Sequence, residues 1–249
     1  MKNQPGEIYA NLLTALRCKE RLLAVLLDPE DFQITKVSYL IQKIHNAPVT
    51  HIFVGGSTVK PGSTQLLVAA LKKYTQLPIL IFPGHENQIT SVADALLFLT
   101  LLSGRNPEYL IETQVRSAAI LKEQPMETIS TGYILIEGGT KTTVQKVSKT
   151  LPIAMQNTTH ITNTALAGEL LGNKLIYLEA GSGAKIPVHE SVIEAVKQHI
   201  SVPLIVGGGL RSAEAMHKAY QAGADMLVIG TAFEKDTSFF ESLNHLKIS

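Results

Sequence analysis

The chain has 249 residues, with 22 Lys and Arg against 21 Asp and Glu, so its formal charge is +1. Hydrophobic residues make up 45% and charged residues 17%, a core-forming composition that excludes a disordered chain. The near-neutral balance, 6% aromatic content and absence of Trp remove any bulk basis for nucleic-acid binding.

The predicted elements alternate along the chain. A strand at Leu22–Leu27 ends at Asp28-Pro29, and a helix follows with Val37, Leu40, Ile41 and Ile44 at helical spacing. The second strand, His51–Val54, ends at Gly55-Gly56-Ser57, and its helix carries Leu67, Ala70, Leu71 and Tyr74. The third, Ile79–Phe82, ends at Pro83-Gly84, and the fourth runs over Ala95–Leu102 to Ser103-Gly104. A helix with Leu110, Ile111, Val115, Ala118 and Ala119 as its apolar set leads to the fifth strand, Gly132–Ile136. Two short helical stretches precede the sixth, Leu175–Leu178, which ends in Glu179-Ala180-Gly181-Ser182-Gly183. The next helix places Val188, Val192, Ile193, Val196 and Ile200 on one side. The seventh strand, Leu204–Val206, ends in Gly207-Gly208-Gly209; Ser212 then caps a helix that Gly223 stops. The eighth, Met226–Ile229, ends in Gly230-Thr231.

Eight strands, mostly separated by helices and apolar on both faces, predict a single (β/α)₈ TIM barrel over residues 1–249. The runner-up, an open doubly wound sheet, lacks a GxGxxG after the first strand. One crossover is short. GHENQITSVADA leaves little room for a helix between strands three and four, so the third helix is expected to be missing or replaced by an extended segment. Either the crossover is simply shortened or it leaves a flank open to a long apolar ligand.

Cys18 is the only cysteine, so an intrachain disulfide and a Cys-rich zinc site are excluded. A surface position is expected for it. The N-terminus has no signal-peptide h-region, and Ala95–Leu102 is too short to span a bilayer, so a cytoplasmic protein is expected.

In a parallel barrel the chemistry sits at the C-terminal ends of the strands. The glycine turns after strands seven and eight, with Gly181-Ser182-Gly183 beside them, let main-chain N–H groups approach an anion, and predict a phosphate site. Glu179 would be repelled by that phosphate unless it serves the other end of the ligand, and taking a proton from a hydroxyl is such a task. Tyr177 shares its side of the strand and would bind substrate or orient Glu179. Asp28 and Ser57, at the ends of neighbouring strands, offer oxygen ligands suited to Mg²⁺. The histidines are scattered without metal spacing.

LLDPED, FVGGST, LIFPG, LLSGRNPEYLI, GYILIEGG, YLEAGSGA, VGGGLRS and VIGTAFE stand in this order over nearly the whole chain. Together they resemble the geranylgeranylglyceryl phosphate synthase family and the related heptaprenylglyceryl phosphate synthases, in wording closest to the second of the family's two sequence branches. First-branch members more often carry Asn-Ser after strand four and Gly-Asn after strand eight, where this chain has Ser103-Gly104 and Gly230-Thr231. The resemblance implies a Mg²⁺-dependent prenyltransferase of ether phospholipid biosynthesis. The 3-hydroxyl of sn-glycerol 1-phosphate attacks C1 of a prenyl diphosphate, here expected to be geranylgeranyl diphosphate, and diphosphate leaves. It implies that Asp28 and Ser57 bind Mg²⁺. It implies that Tyr177, Leu178, Glu179, Ala180, Gly181, Ser182, Gly183, Gly208, Gly209, Gly230 and Thr231 hold glycerol phosphate, with Glu179 the base. It also implies a homo-oligomer, dimer or hexamer. Chain length and transient membrane contact stay open. The alternatives are a heptaprenyl-transferring relative and a sugar-phosphate isomerase, for which Asp28 and Glu137 would stand as acid and base at strands one and five.

Overall fold

A computed structural model describes residues 6–230 and Leu243. Eight parallel strands close into a barrel in chain order: β1 (Leu22–Leu27), β2 (His51–Val54), β3 (Ile79–Ile81), β4 (Ala95–Leu101), β5 (Glu127–Leu135), β6 (Leu175–Glu179), β7 (Leu204–Gly207) and β8 (Met226–Ile229), with β8 pairing back to β1. The expected TIM barrel is what forms.

Alternation along each strand sorts the side chains into two layers. Ala24, Phe53, Leu80, Leu97, Ile129, Tyr177, Ile205 and Val228 pack inside the barrel. Leu23, Val25, Ile52, Val54, Ile79, Leu178 and Val206 face the surrounding helices. Strands buried on both faces explain the unbroken apolar runs.

The helices are α1 (Glu7–Cys18), α2 (Val37–His45), α3 (Ser63–Leu71), α4 (Thr113–Lys122), α5 (Thr143–Ser148), α6 (Thr158–Leu170), α7 (Glu190–Lys197) and α8 (Ala213–Gln221). α2 buries Val37, Leu40, Ile41 and Ile44, as its periodicity predicts. Val188, Val192, Ile193, Val196 and Ile200 are likewise buried around α7. The Ser212 hydroxyl caps α8 by accepting the Ala215 N–H (3.1 Å), and Gly223 lies just past the helix at φ +106°. α1 precedes the first strand and lies outside the strand–helix alternation. The Glu127 carboxylate at the start of β5 accepts the Ile8 and Tyr9 N–H groups (2.8 and 3.1 Å), docking α1 on the N-terminal end of the barrel, where Tyr9 and Leu12 join the inner core. Cys18 is exposed at its C-terminal end.

Three expectations need correction. β5 begins at Glu127, five residues before the predicted start, because its first half is polar: Glu127 serves α1 and Ser130 bonds Asn173 (2.9 Å). Tyr74 lies beyond α3 and is exposed. α4 is rotated relative to its apolar set: Ile111, Val115, Ala118 and Ala119 face outward, while Gln114, Ser117 and Leu121 are buried. What lies beneath α4 is a groove wall with a free strand edge, and an amide suits that edge better than an aliphatic chain does.

The short third crossover contains no α-helix. A single 3₁₀ turn, Glu86–Gln88, stands between β3 and β4. Those two strands pair only at Leu80–Ala95 and Ile81–Leu96, whereas β4 pairs with β5 over all seven of its residues. Above Leu96 the barrel wall is therefore split.

Candidate active site

Two cavities meet at the C-terminal end of the barrel. The polar one, about 320 Å³, is lined by the ends of β1, β2 and β5–β8: Asp28, Ser57, Tyr177, Glu179, Gly181, Ser182, Gly183, Gly208, Gly209, Arg211 and Gly230 among others. The apolar one, about 110 Å³, follows the split between β3 and β4, from Phe82 and Gly84 past Leu97 and Leu99 to Ser117 and Leu121.

Glu179 is the centre of the polar cavity. Its position at the inward-facing end of β6, in register with Gly207 of β7, buries it to 6% exposure. Burial raises its carboxyl to about 7, against the pull of the Gly181 N–H. That N–H donates to Glu179 Oε1 at 2.6 Å. Among the described residues no Lys or Arg nitrogen is paired with this carboxylate. A group that ionises near neutrality in a cleft can take a proton from a hydroxyl.

The glycines here have specific tasks. Gly207 has no Cβ to collide with the Tyr177 hydroxyl and Glu179 Oε2, and Gly208, at φ +82°, none to strike Glu179 Oε1. Both let the carboxylate and the β7 turn approach each other. Beyond them, Arg211 donates from Nη2 to the Ala184 and Gly183 carbonyls (2.9 and 3.3 Å), tying the turn after β7 to the turn after β6. It is the only Lys or Arg among the described residues lining this cavity. The start of α8 follows, and helix N-termini favour anions.

Not every expected substrate residue presents a side chain. Leu178 and Ala180 point into the layer between barrel and helices, and the Ala180 N–H is taken by the Gly207 carbonyl (3.0 Å). Only their main chain shapes the site. Thr231 lies outside the described residues.

Asp28 and Ser57 come together at the rim. Asp28 Oδ1 accepts the Glu30 N–H (3.0 Å), and Oδ2 lies against Gly56, where a side chain would displace it. Burial raises this carboxyl, opposed by the Glu30 N–H bond. Among the described residues no group of three or more His, Cys, Asp or Glu converges to hold a metal. One carboxylate and one hydroxyl fit a Mg²⁺ that keeps waters and shares ligand phosphate oxygens. They do not fit a protein-caged ion. Glu137 is exposed and does not line the cavity, so the acid–base pair an isomerase reading needs is not assembled.

Two glutamines finish the groove where a helix is lacking. Gln88, 1% exposed, donates from Nε2 to the Gly56 carbonyl (2.8 Å) and accepts the Gly56 N–H at Oε1 (3.4 Å), acting as a surrogate strand partner. Gln114 Nε2 donates to the Leu99 carbonyl on the free edge of β4. Arg116 joins Glu86 (3.0 Å) and Glu108, fastening the extended crossover to α4. Phe82 and Tyr133, which line both cavities, do not stand out in the sequence. The only hint was the pairing of Tyr133 with Tyr177 in adjacent strands.

Residues 16–246 match the model of the PcrB family. The chain is 53% identical to the geranylgeranylglyceryl phosphate synthase of Flavobacterium johnsoniae, over 94% of this chain and 97% of that one. It is 40% identical to that of Pyrococcus furiosus, over 92% and 91%. The crystal structure of (S)-3-O-geranylgeranylglyceryl phosphate synthase from Thermoplasma acidophilum, in complex with its substrate sn-glycerol-1-phosphate, superimposes with a TM-score of 0.90 at 33% identity, covering 96% of both chains.

Proposed function

The chain belongs to the PcrB family, that of the geranylgeranylglyceryl phosphate synthases, and from that premise we propose how its two cavities act together. The protein is a prenyltransferase. It joins the 3-hydroxyl of sn-glycerol 1-phosphate to C1 of geranylgeranyl diphosphate, forming an ether and releasing diphosphate, in ether-lipid synthesis. The observation that carries this reading is the junction of the two cavities. A glycine-lined polar pocket around one buried carboxylate opens directly into an apolar groove where a barrel helix is absent.

Each part has a task. The turns at Gly181–Gly183 and Gly208-Gly209, held together by Arg211, bind the phosphate and set which hydroxyl points inward. Orientation of that kind accounts for much of the acceleration in a two-substrate transfer. Glu179 accepts the proton of the 3-hydroxyl as oxygen attacks carbon. The groove takes the isoprenoid tail; at ~0.8 kcal/mol per buried carbon unit, even partial burial contributes on the order of 10 kcal/mol before ordering costs. Asp28 and Ser57 would hold a Mg²⁺ at the opposite rim, which supplies charge neutralisation for the departing diphosphate.

The test is incubation with Mg²⁺, labelled sn-glycerol 1-phosphate and prenyl diphosphates of several lengths, followed by organic extraction and mass identification. Label in the organic phase as a geranylgeranyl ether supports the reading. Preference for a heptaprenyl chain would move the protein to the longer-chain relatives, and no extractable label at any length would reject prenyl transfer.

A further inference from the structure

We infer that Phe82 and Tyr133 present their aromatic rings to the reacting allylic carbon and stabilise the positive charge that develops on it, an inference that rests on the transfer reaction proposed above. Among the described residues only Gly56, Ser57, Phe82, Tyr133 and Val144 line both cavities. A substrate with its diphosphate at the polar rim and its tail in the groove must turn at this junction, so its C1 lies there. Of the five, two are aromatic, and a third ring, that of Tyr177, stands beside them. The centroids form a nearly equilateral triangle: 5.8 Å between Phe82 and Tyr133, and 5.4 Å from each of them to Tyr177. The planes are inclined by 44 to 66°, tilted to edge-on rather than stacked face against face.

The chemistry at that point calls for aromatic rings. As the C1–O bond to diphosphate breaks, its electron pair leaves with the diphosphate. The glycerol oxygen forms the new bond to C1, and its proton passes to Glu179. Between these events C1 and the adjoining double bond share positive charge. Ring faces attract a cation without attacking it, and most strongly where water is excluded, as at Tyr133, which is 5% exposed. A lysine or arginine there would repel the charge. The other inward-facing positions of the barrel are mostly aliphatic, and aromatic residues gather in the layer next to Glu179.

The experiment uses the full-length enzyme with Phe82 replaced by phenylalanines bearing one, two or three ring fluorines. Fluorination withdraws electron density from the ring face while barely changing its shape. We expect log kcat to fall in even steps to about a 10- to 30-fold loss for the trifluoro ring, with KM for glycerol phosphate within about 2-fold. At Tyr133, replacement by Phe should keep kcat within about 3-fold, while Tyr133→Leu should lower it about 30-fold. A kcat unchanged across the fluorinated series overturns the proposal, even if Tyr133→Leu is slow, because packing alone explains the latter. If the wild-type enzyme makes no ether product, the transfer reading fails first and this role with it.

Discussion

Glu179 Oε1 accepts the main-chain N–H of Gly181 at 2.6 Å, so the proposed base and the proposed phosphate cradle are two ends of one five-residue turn. Burial raises this carboxylate to about 7, against the opposing pull of the Gly181 N–H and the Tyr177 hydroxyl. We therefore expect kcat/KM for the prenyl substrate to rise with pH through an ionisation near 7 and level above it, separate from the substrate phosphate, which ionises near 6. A profile flat from pH 5 to 9 in the wild-type enzyme contradicts this.

The same burial has a consequence for stability. The folded carboxyl holds its proton more tightly than an unfolded one at 4.5, so stability present below pH 4.5 is lost as pH rises to about 7. At 1.36 kcal/mol per pH unit the loss is about 3 kcal/mol. Glu179→Gln has no such ionisation. Denaturant titrations should find its advantage over wild type growing between pH 5 and pH 7 and constant above; a pH-independent difference would show that burial does not set this ionisation.

At the opposite rim, Asp28 Oδ2 lies against Gly56 beside Ser57. Asp28→Asn removes the only charge of that donor pair. The Mg²⁺ concentration giving half-maximal rate should rise by about 10-fold or more, with glycerol phosphate affinity unchanged. An unaltered metal titration would remove Asp28 as a ligand.

Ser117 is buried on the groove side of α4. Ser117→Phe should fill the groove and raise KM for the prenyl diphosphate by about 10-fold, leaving KM for glycerol phosphate within about 2-fold. Equal effects on both would mean that the groove is not where the tail lies.

Gly208 sits at φ +82° against Glu179 Oε1. Ala there adds backbone strain of about 1–3 kcal/mol and displaces the carboxylate. Gly208→Ala should lower both kcat and glycerol phosphate affinity, whereas Gly62→Ala, at φ +86° in open space, should affect stability alone. Wild-type kinetics for Gly208→Ala would argue against the cradle.

Much of this architecture was legible in the sequence, because buried parallel strands write continuous apolar runs and their C-terminal ends write glycines and carboxylates. The missing third helix was legible as a shortage of residues between Ile81 and Ala95. The rotation of α4 was not, since Ile111, Val115, Ala118 and Ala119 have the spacing of a buried face, and nothing local records that a groove replaces the core beneath. Nor were Gln88 and Gln114, whose amides matter only because β3 and β4 part above Leu96. Phe82 and Tyr133 read as ordinary strand residues until closure of the barrel sets them beside Tyr177.

The most direct measurement pairs two readouts on Glu179→Gln: calorimetric affinity for sn-glycerol 1-phosphate, and the rate of ether formation with geranylgeranyl diphosphate. A buried base acting only in transfer predicts affinity within about 3-fold of wild type and turnover slower by about 100-fold or more. Near-normal turnover would contradict the account.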